Sequence, residues 1–132
     1  MIDVACAIIE KDGLVLAAQR SETMSLPLKW EFPGGKLDPN ESAAACLERE
    51  IDEELGVGIA IRTPLPPSEW HYEKFSIRLH PFVCTMNGGR ISLAEHRAIR
   101  WLAPTELHAL DWAEADVPVL ESYLAECEFC TP

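Results

Sequence analysis

The sequence has no long apolar run, no excess of basic residues and no internal repeat, and each absence excludes a class of protein. The longest unbroken apolar run extends from residue 4 to residue 9, which is too short for a membrane-spanning helix or for the apolar part of a signal peptide. Lysine and arginine number 11 against 22 aspartates and glutamates, which gives a net charge of −11. A surface this acidic repels nucleic acid polymers and anionic membranes, so an anionic partner needs a cation to mediate its binding.

The cysteines and the first residues predict a reducing compartment. The five cysteines are an odd number, and Met1-Ile2-Asp3 has none of the basic residues with which a signal peptide begins. We therefore expect a cytoplasmic protein with reduced thiols. Cys127 and Cys130 form a C-x-x-C pair, but no second pair completes a zinc site, so plain thiols are expected there. The 132 residues contain no linker and are 48% apolar, which predicts one domain over residues 1–132.

Turn and capping residues divide the first half of the chain into a hairpin and a helix. Lys11-Asp12-Gly13 separates two apolar segments, a pattern typical of a β-hairpin. Ser42 is a good helix N-cap, and Gly56 favours the left-handed conformation in which many helices end. The pattern therefore predicts a helix from near Ser42 to Leu55.

The second half of the chain adds strands and a last helix. Pro81 predicts a bulge or a sheet edge, because proline cannot donate a hydrogen bond within a sheet. Asp116 can cap a helix that has Pro118 in its first turn. Strands and helices together predict an α/β fold in which a mixed β-sheet packs between helices. The predicted strands are residues 4–9, 14–18, 57–61, 75–79 and 98–102.

Three glutamates lie on one face of the predicted helix. Residues three and four positions apart share a helix face, so Glu50, Glu53 and Glu54 are neighbours, and Arg49 can pair with Glu53. Like charges at these spacings destabilise a helix by roughly 0.2–0.5 kcal/mol per pair, and acids in the last turn oppose the helix dipole. A divalent cation such as Mg²⁺ or Mn²⁺ removes both penalties. On the carboxylates alone, a solvated acidic face is an equally good interpretation.

The residues around the helix decide between these interpretations. They satisfy every position of the pattern glycine-x5-Glu-x7-Arg-Glu-aliphatic-x-Glu-Glu-x-Gly-aliphatic, which is the Nudix box. The chain therefore resembles the Nudix hydrolases, and it is most similar to the MutT-like branch, which includes 8-oxo-dGTP and (deoxy)CTP pyrophosphohydrolases. Residues 30–36 and 110–118 look like the flanking segments of that branch. The residues that match the box are Gly35, Glu41, Arg49, Glu50, Ile51, Glu53, Glu54, Gly56 and Val57.

The resemblance implies an α/β/α sandwich and a metal-dependent hydrolysis. It implies that a nucleoside triphosphate is cleaved to a monophosphate and pyrophosphate with Mg²⁺, for which Mn²⁺ can substitute. The implied metal ligands in the box are a main-chain carbonyl of the glycine turn at Gly35 and the carboxylates of Glu50, Glu53 and Glu54. Arg49 is implied to orient Glu53, and the role of Glu41 looks structural.

The attacking water needs a base, for which the resemblance offers Glu53 or Glu95. MutT-like enzymes carry a metal-binding glutamate in the loop before the strand at residues 98–102, and Glu95 stands six residues before Trp101. A loop glutamate is otherwise a solvated surface residue. His96 is adjacent to Glu95, but a lone loop histidine is usually a bystander.

Four further residues are candidates for contacts with the nucleotide. Arg20 and Lys36 are candidate phosphate contacts, and the alternative for each is an ordinary surface charge. Phe32 can stack on the base or belong to the core. Asp116 matches the position where MutT-like enzymes read the base edge, and its alternative role is that of helix N-cap.

Two other functions remain open on the sequence. The substrate can be another nucleoside diphosphate derivative, such as a dinucleoside polyphosphate or a nucleotide sugar. The chain can also be a nucleotide-binding module without catalysis, although such modules typically lose box acids and this sequence keeps them all. A monomer or a homodimer is expected in either case.

Overall fold

The computed structural model describes residues 1–126. The predicted C-x-x-C thiols, Cys127 and Cys130, lie outside the described residues. Short 3₁₀ turns at Pro104–Ala109 and Glu114–Asp116 precede the last helix. The strands are β1 Ile2–Lys11, β2 Leu14–Gln19, β3 Trp30–Glu31, β4 Gly34–Lys36, β5 Ile59–Pro64, β6 Ser68–His71, β7 Ser76–Met86 and β8 Ala98–Leu102, and the helices are α1 Ala43–Leu55 and α2 Val117–Glu126.

The sheet is mixed, as the sequence predicts, and β1 lies in its middle. It runs antiparallel to β2 and β4 and parallel to β7. The hairpin turn places Asp12 and Gly13 at φ values of 51° and 79°, a pair of positive angles that matches the twist of the flanking strands. β2 and β1 are in register at Glu10 and Val15, next to the turn, and β2 continues into pairing with β8. Because β2 leaves β1 beyond the residues next to the turn, β4 can pair with β1 at Cys6. This pairing brings the glycine turn to the middle of the sheet.

The two faces of β1 support two apolar cores. Successive strand residues point to opposite faces, so Ala5, Ala7 and Ile9 pack on the side of α1. Cys6 and Ile8 pack on the other side, against the 3₁₀ turns and α2. The sheet is therefore covered on both faces, which confirms the predicted α/β/α arrangement. No helix within residues 1–126 is long and apolar enough to cross a membrane.

Helix α1 begins and ends as its capping residues predict. The Ser42 hydroxyl accepts a hydrogen bond from the Ala45 N–H at 3.1 Å. Gly56 adopts φ 70° and donates its N–H to the Asp52 carbonyl. Leu47 and Ile51 are fully buried, so their packing fixes the rotation of the helix about its axis.

Several predicted boundaries in the second half of the chain are wrong. The strand predicted over residues 57–61 is β5, which begins at Ile59, and the short strand β6 was not predicted. The strand predicted over residues 75–79 continues through Pro81, which is in register with Cys6 of the parallel neighbour. Pro81 is tolerated inside β7 because β5 and β6 pair with β7 on either side of this position. The irregularity in register lies in β5, between Ile61 and Thr63.

Candidate active site

A cavity of about 380 Å³ opens between the glycine turn, helix α1 and two loops, and it has an acidic end and an aromatic end. Its volume lies within the range of small-molecule sites. The loop that follows β2 forms one wall, and the loop that precedes β8 contributes Glu95. The charged residues that line it are Arg20, Glu31, Lys36, Glu50, Glu54, Glu95 and Asp116, and the aromatic ones are Phe32, Tyr72 and Phe75.

Helix α1 directs two of the three predicted carboxylates toward this cavity. Glu50 and Glu54 line it, whereas Glu53 lies beside them on the solvent side with a side chain that is 59% exposed. Helical spacing explains the difference, because the rotation that buries Ile51 leaves Glu53 outside the packed face. Among residues 1–126, no three carboxylate, histidine or cysteine side chains converge closely enough to form a ready-made metal cluster.

Glu54 is the most perturbed acid at this end of the cavity. Its side chain is buried, and within residues 1–126 its Oε2 atom has no hydrogen-bond partner. Burial, and then the nearby charges of Glu31, Glu50 and Glu95, raise the pKa of Glu54 to about 9. A buried acid repelled by three other acids is stabilised either by holding a proton or by a cation.

Gly35 is needed because the Glu50 carboxylate lies against its backbone. A Cβ atom at Gly35 would lie 2.3 Å from the carboxyl carbon of Glu50, so any side chain there would displace Glu50. The glycine turn thus holds the Glu50 carboxylate against its backbone. Carboxylate oxygens are hard donors that suit Mg²⁺ or Mn²⁺. Together with the Glu54 oxygen that has no partner among residues 1–126, Glu50 fits the divalent cation that the sequence predicts.

Arg49 is held mainly by Glu41, and its contact with Glu53 is longer than its contacts with Glu41 and Glu50. The Arg49 Nε and Nη2 atoms each donate to the Glu41 carboxylate at 2.9 Å, and Nη1 donates to Glu50 at 2.9 Å. The contact with Glu53 is 3.5 Å. The Arg49 hydrogen bonds lower the pKa of Glu41 to about 2. The Glu41 carboxylate therefore fixes the Arg49 guanidinium, which agrees with the structural role expected for Glu41.

The loop before β8 brings Glu95 to the carboxyl end of α1. The Ser92 N–H donates to the Leu55 carbonyl at 2.9 Å, and the Ala94 N–H donates to the Glu54 carbonyl at 3.1 Å. These bonds satisfy carbonyls that the end of a helix leaves without partners. As a result Glu95 lines the cavity and contributes to the raised pKa of Glu54.

Glu31, which is not among the predicted site residues, links the two loops around the cavity. Its Oε1 accepts a hydrogen bond from Arg20 Nη1 at 2.6 Å, and its Oε2 lies 2.8 Å from His96 Nε2. Arg20 also donates to the backbone carbonyl and hydroxyl of Ser25, at 2.6 and 3.0 Å. His96 is buried and contacts Glu31, so it is part of the packed structure, while its expected lack of a role in the chemistry stays a prediction. The sequence signal for Glu31 is a lone acid between two aromatic residues, just before the glycine turn.

Asp116 lies at the far end of the cavity and does not serve as the expected helix N-cap. It is buried, and in the described part of the chain its carboxylate accepts one hydrogen bond, from the Phe32 N–H at 2.9 Å. Burial and the nearby charge of Glu31 raise the pKa of Asp116 well above its usual range. Phe32 is only 2% exposed and packs on Trp112 with ring centroids 4.7 Å apart, so most of this ring belongs to the core. Tyr72 and the exposed Phe75 form a second ring pair, 5.0 Å apart, on the cavity wall.

Comparison with known proteins identifies the chain's relatives. The family described as NUDIX domain matches residues 1–123. A CTP pyrophosphohydrolase of Escherichia coli (strain K12) is 37% identical over 125 residues, which cover 95% of this chain and 93% of that protein. An 8-oxo-dGTP diphosphatase of Buchnera aphidicola subsp. Schizaphis graminum (strain Sg) is 35% identical over 95 residues, covering 72% and 71%. The solution structure of the DNA mismatch repair protein MutT (family Nudix hydrolase) of methicillin-resistant Staphylococcus aureus 252 is similar with a TM-score of 0.77 and 43% identity, covering 96% of this chain and 97% of that one.

Proposed function

The chain belongs to the Nudix hydrolase family, and from this membership we propose that it cleaves nucleoside triphosphates to nucleoside monophosphate and pyrophosphate with a divalent cation. The substrates in the names of its relatives make CTP and 8-oxo-dGTP the first candidates. The family match over residues 1–123 supports the proposal that the chain acts as a single domain.

The buried carboxylate of Glu54, whose Oε2 has no hydrogen-bond partner among residues 1–126, is the observation that carries this proposal. This carboxylate is also repelled by its acidic neighbours. A triphosphate would be repelled by the same acids. A divalent cation would compensate both charges, which gives the acidic end a function as a phosphate site.

We assign the cation to oxygens of the glycine turn and α1. The groups that would hold it are the Gly35 carbonyl and the carboxylates of Glu50 and Glu54, with Glu53 and Glu95 completing the set. When bound, the metal polarises the phosphoryl oxygens and neutralises the charge that develops on them. Arg49, fixed by Glu41, keeps the Glu50 and Glu53 carboxylates oriented toward this set.

The proton of the attacking water is assigned to Glu95. Of the two candidate bases, Glu95 lines the cavity and Glu53 does not. Glu95 is also exposed enough to exchange the proton with solvent after the reaction. Lys36, exposed at the cavity rim, contacts the phosphates, and Arg20 approaches them from the opposite loop.

The base is assigned to the aromatic end, where Asp116 reads its edge. A buried Asp116 that keeps its proton offers one donor and one acceptor. Cytosine presents an amino donor beside the ring N3 acceptor, and 8-oxoguanine presents its N7–H donor beside the O6 acceptor, so each can match this pair. Phe32 closes the floor of the base site, and the Tyr72–Phe75 pair supplies an aromatic wall.

A substrate panel with separate detection of pyrophosphate and orthophosphate tests the proposal. Purified protein with Mg²⁺ is expected to release pyrophosphate from CTP, dCTP or 8-oxo-dGTP, and to lose this activity in EDTA. Glu53→Gln is expected to lower kcat at least about a hundredfold, because its charge organises the metal. Glu48→Gln is the matched control, since Glu48 is an exposed residue of the same helix and does not line the cavity.

The other outcomes correspond to the two alternative functions. Cleavage confined to dinucleoside polyphosphates or nucleotide sugars would keep the metal chemistry and overturn the triphosphate assignment. Nucleotide binding in a calorimeter without turnover under Mg²⁺ or Mn²⁺ would make the chain a binding module.

A further inference from the structure

We propose that His96 is a positioning residue that holds Glu95 at the cavity through Glu31. This inference rests on the proposed function, in which Glu95 binds metal and accepts a proton. It concerns residues outside the Nudix box, and it gives a role to the buried histidine that the proposed reaction does not use.

The backbone around Glu95 is fixed at two points. The Ala94 N–H donates to the Glu54 carbonyl at 3.1 Å, and the Arg97 N–H donates to the Gln19 carbonyl at 2.9 Å. Only Glu95 and His96 lie between these two anchors. Glu95 is exposed, so its own side chain does not hold it in place. The side chain that fixes this two-residue segment is therefore that of His96, which is 0% exposed.

The contact between His96 and Glu31 is specific and directional. The Nε2 atom lies 2.8 Å from Glu31 Oε2, and a carboxylate oxygen accepts a hydrogen bond, so Nε2 is the nitrogen that donates. The other ring nitrogen, Nδ1, is buried without a partner among the described residues. Within the described part of the chain, one strong hydrogen bond is thus the polar link of a buried ring, and losing it would leave the ring free to reorient.

The Glu31 carboxylate is itself held in place, because its other oxygen, Oε1, accepts a hydrogen bond from Arg20. Arg20 binds Oε1 at 2.6 Å and in turn holds the loop after β2 through Ser25. The side chains of Arg20 and Glu31 are only 17% and 14% exposed, so solvent screens this ion pair weakly. The chain of contacts therefore joins two walls of the cavity at one carboxylate.

Hydrogen exchange of the metal-free protein tests the anchoring without any activity measurement. In His96→Leu the amides of Ala94 and Arg97 are expected to exchange at least about tenfold faster than in the wild type, while those of α1 keep their rates. His96→Asn provides a second loss variant if leucine prevents folding, because its amide is too short to reach Glu31. His96→Gln places an amide donor near the Nε2 position and is expected to restore the wild-type rates within threefold. His108→Leu is the control, since it removes a 2.7 Å contact with Glu121, and neither of these residues lines the cavity.

A double-mutant comparison shows whether His96 acts through Glu95. His96→Leu is expected to lower kcat about tenfold with KM changed less than threefold. In a Glu95→Gln background the same change is expected to lower kcat less than twofold, because the residue being positioned is already disabled. Unchanged exchange at Ala94 and Arg97, or an equal loss of kcat in both backgrounds, would overturn the proposal. If the wild type cleaves no nucleotide, the proposed function fails, and the exchange experiment still decides whether His96 anchors the loop.

Discussion

Replacing Glu54 by glutamine is expected to stabilise the metal-free protein at alkaline pH. An unfolded chain ionises this carboxyl at its ordinary pKa of 4.5, whereas burial and acidic neighbours raise its pKa to about 9 in the folded chain. Between these values the unfolded state binds fewer protons than the folded state. The Glu54 contribution to stability is therefore fully present below pH 4.5 and is lost as the pH rises toward 9.

The size of this effect follows from the pKa difference. Each pH unit between 4.5 and 9 lowers the free energy of unfolding by up to about 1.4 kcal/mol. Part of this loss is offset when water enters around the buried carboxylate. We therefore expect Glu54→Gln to exceed the wild type by about 2 to 4 kcal/mol at pH 8 in EDTA. For a domain of this size that is a rise in Tm of roughly 6 to 12 °C. At pH 5 the difference is expected to be within about 1 kcal/mol.

Thermal melts from pH 5 to 9, with EDTA or Mg²⁺, provide the assay. A cation whose free concentration is a hundred times its Kd stabilises the folded state by about 2.7 kcal/mol. Mg²⁺ is therefore expected to raise the Tm of the wild type by several degrees. In Glu54→Gln this increase is expected to disappear because one ligand has no charge. Parallel pH curves for the two proteins, or an equal Mg²⁺ effect in both, would refute the reasoning. Glu48→Gln, exposed on the same helix, is expected to follow the wild type in both buffers.

Three other substitutions test separate parts of the site. Gly35→Ala is expected to weaken Mn²⁺ binding at least about tenfold, measured by titration, because its Cβ would displace the Glu50 carboxylate. Gly34→Ala is expected instead to lower the free energy of unfolding in urea by about 3 kcal/mol or more, because its Cβ would lie 1.9 Å from the Ala5 carbonyl oxygen of β1. A urea unfolding curve equal to that of the wild type would contradict this packing. Glu41→Gln is expected to lower kcat about tenfold with little change in KM, since Arg49 loses its bidentate partner, whereas unchanged kinetics would mean that Glu50 alone holds Arg49.

The parts of the fold and site that depend on local patterns were predictable from the sequence. Ser42 and Gly56 define helix α1 by backbone chemistry that acts within a few residues, and both were predicted correctly. The spacing of Glu50 and Glu54 likewise followed from the period of the helix. Pro81 shows the limit of such rules, because whether a proline fits a strand depends on which partners lie on each side, and that is set by distant segments.

The contacts around the cavity that lie outside the Nudix box join residues that are distant in the sequence. Phe32 and Asp116 are 84 residues apart, and Glu31 and His96 are 65 apart, so no local period connects them. The local sequence around Asp116 predicted a helix N-cap. In the structure its carboxylate instead accepts a hydrogen bond from the N–H of the distant Phe32. The resemblance to a family supplied the positions of Asp116 and Glu95 but could not supply the contacts of Asp116 with Phe32 and of His96 with Glu31. Those contacts become visible only when the fold brings β3, the 3₁₀ turn before α2 and the loop before β8 together.

The charges that line the cavity give the metal a second role, that of making the site attractive to its substrate. Five lining residues are acids, Glu31, Glu50, Glu54, Glu95 and Asp116, and the lining residues include only two basic side chains. One of these, Arg20, is paired with Glu31 at 2.6 Å, which compensates part of the positive charge that Arg20 can offer the phosphates. A triphosphate cannot approach such a surface by charge complementarity alone, and the protein's net charge of −11 repels it further. Nucleotide affinity, and not only turnover, should therefore depend on the divalent cation, because the same ion that compensates Glu54 also supplies the positive charge that the cavity needs.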